Sequence, residues 1–120
     1  MEREPSEKLT IGYVWRMFRR RFSDLIDRQL DLFARDHHDE IEEAVTLLDR
    51  HRTADRADAE ESFGEYRDRV DWLAQDLATL RDTYAETLEE GTASAYRKAF
   101  GKATRRRFPP LARALDDEDW

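Results

Sequence analysis

The chain has 120 residues, of which 41% are charged and 39% hydrophobic, and its formal net charge is −7. That length bounds it to one domain or one elongated unit. A charged share far above the usual quarter predicts long helices with much exposed surface. There is no cysteine, which excludes disulfides, thiolate catalysis and cysteine-ligated metal centres.

The first predicted helix starts near Ser6 or Thr10 and spans about 8–52. Ile11, Val14, Trp15, Phe18, Phe22 and Leu25 recur at three- and four-residue steps, which places them on one helical face. Further on the stripe passes to Ile26, Leu30, Phe33, His37, Ile41, Ala44 and Leu48. This second set is rotated relative to the first, and Gln29 sits at the handover. A phase change of this kind implies a bend, a change of supercoil or two packing partners. Arg50, His51 and Arg52 fall in the last turn, at the negative end of the helix dipole.

Thr53 is the expected N-cap of a second helix over about 54–90. In it Phe63, Tyr66, Val70, Leu73, Leu77, Leu80 and Tyr84 alternate steps of three and four, the a/d pattern of a coiled-coil seam over about three heptads. Gly91 is read as the C′ residue that ends this helix. A third helix over about 92–108 follows, capped by Thr92. Ala93, Tyr96, Phe100 and Ala103 form its stripe, and Pro109 and Pro110 stop it. "LARAL" adds at most one turn, and 109–120 is expected to be a partly mobile tail in which Trp120 could dock.

Short connections at Thr53 and Gly91 make successive helices antiparallel. At about 1.5 Å per residue the first helix exceeds 60 Å and the second reaches roughly 50 Å. The predicted fold is all-α: an elongated antiparallel, coiled-coil-like hairpin with a shorter third helix, forming a three-helix bundle. The stretches "RQLDLFARDH" and "LATLRDTYAETL" resemble parts of small uncharacterised helical proteins of haloarchaea or actinobacteria. A low-lysine, aspartate-rich surface is similar to that of salt-in halophiles, and only Lys8, Lys98 and Lys102 are lysines. The resemblance implies no function.

Candidate chemistry is sparse. "DHHDE" (Asp36–Glu40) is the one metal-like cluster, but it lacks both the Glu-x-x-His and the HExxH patterns. The plainer reading makes His37 a partly buried polar residue on the stripe and His38 a solvated one. His51 beside Asp49 or Asp55 is explained by the helix dipole. Ser23, Ser62 and Ser94 read as helical or cap residues, and the four glycines are isolated. These observations predict no enzyme, no metal and no cofactor. No apolar run approaches the roughly 20 residues that cross a bilayer. "MEREPSEKLT" lacks the basic start and apolar run of a secretory signal, so a cytoplasmic location is the expectation.

Three features point to partners. "YVWRMFRRRF" (Tyr13–Phe22) continues the apolar stripe and carries four arginines. A first helix longer than the second leaves its start overhanging, so Val14, Trp15, Phe18 and Phe22 are candidate interface residues, with off-seam Trp72 as a further anchor. A homo-oligomer, most simply a dimer, is the expectation. The arginines also fit a membrane-surface helix, which is less favoured. Charge is uneven as well: Arg97 to Arg113 hold seven basic residues and no acid, whereas Ser23 to Glu90 hold 21 acids against 8 bases. Arg97, Lys98, Lys102, Arg105, Arg106 and Arg107 could therefore bind a polyanion. The simpler reading is that they neutralise the acidic helices, because the surrounding negative charge repels nucleic acid. Gly64 is a possible point of close helix approach.

Overall fold

A computed structural model describes residues 22–118. Val14, Trp15 and Phe18, the start of the first helix and Trp120 lie outside the described residues. Among those described there are five helices and no strand. Residues 22–36 form α1; α2 is His38–Thr53, α3 Arg56–Ala85, α4 Glu90–Arg107 and α5 Pro109–Glu118. The molecule measures 72 × 23 × 20 Å with a radius of gyration of 18.9 Å. A compact chain of this length would have a radius near 14 Å, so the expected elongation is present.

α1 and α2 form one nearly continuous rod. His37 interrupts it with φ −110° and ψ 23°. Its N–H still donates to the Phe33 carbonyl (2.9 Å), and its own carbonyl accepts from the Ile41 N–H (2.9 Å). The rod reverses at Ala54, and α3 returns antiparallel. His51 pairs with Ala59, Glu43 with Arg69 and His37 with Asp76, so residue numbers rise on one helix as they fall on the other. Asp55 caps α3 by accepting from the Asp58 N–H at 3.1 Å. Thr53, expected in that role, is the last residue of α2, and its hydroxyl donates to the Asp49 carbonyl. The reason is the extended conformation of Ala54 (ψ 161°), which moves the new helix start two residues on.

α3 ends at Ala85, earlier than the glycine rule predicted. Thr87 N–H bonds the Tyr84 carbonyl and Leu88 N–H the Ala85 carbonyl, which satisfies the last carbonyls with tight i→i−3 closures. Gly91 is not the C′ residue but lies in the first turn of α4.

The larger difference lies at the two prolines. Phe108 leaves the helix at φ −134°, ψ 66°, as the residue before a proline must avoid the α region. Pro109 then begins α5, where its missing N–H costs nothing and its fixed φ suits a first turn. The segment expected as a tail is thus a helix that buries Leu111, Ala112 and Leu115. Arg105 meets Asp116 at 3.8 Å, so α5 folds back along α4.

The core lies where α1, α3, α4 and α5 meet. Ile26, Leu30, Leu73, Leu77, Tyr96 and Phe100 are at most 2% exposed there. Of the predicted seam, Val70, Leu73 and Leu77 are buried, Tyr66, Leu80 and Tyr84 are partly buried and Phe63 is 41% exposed, while Ala74, Arg81 and Ala85 join the buried set. α3 needs this wider stripe because it packs against helices on two sides. Phe22 belongs to this core, at 7% exposure, with its ring edge-on to Tyr96 at 5.7 Å. It is therefore covered by its own chain, in place of the intermolecular contact expected for it.

Gly64 has no close neighbour either: a Cβ built there meets nothing within 4 Å. Its backbone is helical, and it is exposed. Replacing it with alanine removes the glycine entropy cost without a clash. Gly64→Ala is expected to stabilise the protein by about 0.5–1 kcal/mol, read as a raised midpoint in thermal denaturation followed by circular dichroism.

Candidate interaction surface

α4 and α5 pack only along the lower part of the hairpin. Among the described residues, the α2–α3 pair continues above Phe108 as a two-helix arm, and between residues 38 and 69 only Ala44 and Leu47 are buried. At the foot of this arm a groove opens. Ile41, Ala44, Val45 and Leu48 line it from α2, and Tyr66, Val70 and Leu73 from α3. Arg107, Phe108, Pro109, Pro110 and Leu111 close its lower end, where α4 turns into α5. Among the described residues, no side chain fills it. Val45 is 55% exposed, a large value for an aliphatic residue beside a core.

The groove sits in a strongly negative setting. Residues 38–72 hold twelve acidic side chains against five arginines, a net charge of −7 with histidine neutral. Glu42 and Asp49 are exposed on the face of α2 that carries Val45, three residues before it and four after. The groove is thus apolar at its floor and acidic along its α2 edge, with Arg107, which pairs with Asp31, at its lower end.

The far side of the hairpin is more tightly organised. The His37 ring stacks on Phe33 at 4.2 Å and meets Trp72 edge-on at 6.1 Å. Its Nδ1 lies 3.0 Å from the Phe33 carbonyl and its Nε2 3.0 Å from Asp76. Trp72 is 47% exposed and covers this contact from outside. Asp36 and Glu40 do not join His37 in a ligand set; among the described residues no three His, Cys, Asp or Glu side chains come together as a metal site. His51 likewise has a structural contact: its Nδ1 lies 2.9 Å from the Ala59 carbonyl, and its ring lies 5.0 Å from Phe63.

The basic residues of α4 divide into two sets. Arg97 bonds Asp82 of α3, and Arg105 faces Asp116 of α5. Arg107 pairs with Asp31 of α1 at 2.7 Å, donates to the Asp27 carbonyl, and lies 5.5 Å from the Phe108 ring. Asp82 accepts from Arg81 at 2.8 Å, and this bond, with Arg97 beside it, holds the Asp82 carboxyl below the ordinary carboxylate range. Lys98, Lys102 and Arg106 are exposed, and Lys98 and Lys102 flank Gly101 in a shallow depression that Arg97 and Arg105 also line. Half of the six candidate anion-binding residues are therefore directed at acids of the same chain, the arrangement expected of a helix that neutralises its neighbours.

Fold and surface together define a class: an all-α chain in which an acidic two-helix arm carries an apolar groove. No described helix is long and apolar enough to cross a membrane. Comparison with protein-family models, curated proteins and solved structures finds no match to this chain.

Proposed function

We propose that this is a non-catalytic helical interaction protein that self-associates, most simply as a dimer, through the groove at the foot of its arm. The observation that carries this reading is the apolar groove in which Val45 is exposed and Ile41, Leu48 and Tyr66 are only partly buried. Burying it excludes water from aliphatic and aromatic surface at roughly 25 cal/mol per Å². A helix is the natural occupant of such a trough, with anchors one and two turns apart entering between two parallel rims. A coiled-coil-like association of helices is compatible with this geometry. The Arg-rich face of α4 remains the alternative as a polyanion site, and the exposed Lys98, Lys102 and Arg106 are what favour it.

The experiment is a measurement of molar mass by light scattering on the wild type and on Val45→Asp. Because Val45 is exposed, its replacement leaves the core untouched. We expect a dimer for the wild type and a monomer of unchanged helical content for the variant. A variant that keeps the wild-type mass would exclude the groove as the contact.

A further inference from the structure

We infer that the occupant of the groove is the segment Ile11–Arg21 of a second copy, docked as an amphipathic helix with its arginines facing the acidic arm. The inference rests on the self-association just proposed and names its chemistry.

Two features of groove and segment match. The first is length. The groove's α2 wall runs from Ile41 to Leu48, eight residues or about 10 Å of helix. In the segment, Ile11, Val14, Trp15 and Phe18 fall on one helical face by their spacing and span the same eight residues, so anchors and floor are commensurate. The second is charge. The segment carries Arg16, Arg19, Arg20 and Arg21 and no acid, against an arm of net charge −7. An apolar stripe bordered by guanidinium groups is the complement of an apolar floor with carboxylates along its α2 edge. Phe22, the next residue, is anchored in its own core, so the segment is tied to the molecule at one end. Two copies that exchange segments reciprocally satisfy both grooves and close the assembly as a dimer.

The test uses the full-length chain and three variants: Val45→Asp in the groove, Trp15→Gln with Phe18→Gln in the segment, and Arg16→Glu with Arg20→Glu as a charge reversal that spares the apolar face. Mass is measured by sedimentation velocity at low and high salt. The wild type is expected to be a dimer that weakens as salt rises, and each variant a monomer. A one-to-one mixture of the Val45 and Trp15/Phe18 variants is expected to regain a dimer, because one intact segment and one intact groove remain between them. Failure of that mixture to associate would overturn the inference. If the segment and charge variants stay dimeric while Val45→Asp is monomeric, the groove binds something else and only the inference falls. A monomeric wild type would remove both readings. If the Trp15/Phe18 variant unfolds and the charge reversal leaves the mass unchanged, the segment is intramolecular core and the inference fails.

Discussion

Leu77→Ala is expected to lower the unfolding free energy by about 2–5 kcal/mol, the largest effect of a single truncation in α3. Leu77 is fully buried, in the cluster that includes Ile26, Leu30, Leu73, Tyr96 and Phe100. Removing its side chain forfeits the transfer free energy of three carbons. It also leaves a cavity walled by helices that cannot collapse independently, since α1, α3 and α4 are fixed by their own contacts. Leu88 provides the internal control. It lies in the α3–α4 connection and is only partly buried, so Leu88→Ala should cost clearly less. Urea denaturation followed by circular dichroism decides the order. A Leu88 effect equal to or larger than that of Leu77 would mean that the core is not centred where α3 crosses α1 and α4.

Stability is also expected to fall steeply at alkaline pH, and Tyr96 is the main cause. Its ring is wholly buried, and its hydroxyl donates to the Gln29 side chain at 2.8 Å. Burial disfavours the phenolate and pushes its pKa from 10 up to about 12. The folded-state value is the raised one, so the contribution is present in full below pH 10. Between pH 10 and about 12 the unfolded chain releases the proton while the folded chain holds it, and stability is lost across that interval. One proton is worth about 1.4 kcal/mol per pH unit, which makes the total on the order of 2–3 kcal/mol. Tyr96→Phe removes the titrating group, so its unfolding free energy should change less across this range. At neutral pH the same change should cost about 1 kcal/mol for the lost hydrogen bond. Urea midpoints taken at several pH values for both proteins test this. Parallel curves for wild type and variant would count against Tyr96.

The hairpin was legible because its signal is periodic and local. Val70, Leu73 and Leu77 recur at heptad steps, and a seam of that kind can be buried in few ways. The short break near Thr53 then leaves α3 only an antiparallel return. The prolines misled because the same residue ends one helix and begins another. Leu111 and Leu115, four residues apart behind Pro109, were the available sign that a packed helix follows. Gly91 misled because α3 closes with tight backbone bonds at Thr87 and Leu88 that need no glycine. Phe22 could be placed on the stripe from sequence but not assigned to an inner or outer partner, since that depends on how α4 lies beside α1. The groove was hidden for a related reason. Ile41, Leu48 and Tyr66 look like ordinary core positions until it is known that α4 stops at Phe108, below their level.

That step from four helices to two has a consequence for how the molecule opens. Below Phe108 every helix is held by neighbours on more than one side, so backbone amides there should exchange with solvent only when the whole fold is lost. Above it, Ala44 and Leu47 are the main buried anchors, and the arm can fray from its tip while the base stays intact. The two regions are thus separate cooperative units with different opening free energies. A helix seated at the foot of the arm would act as a splint across their boundary, slowing exchange in both helices of the arm by the free energy of its binding.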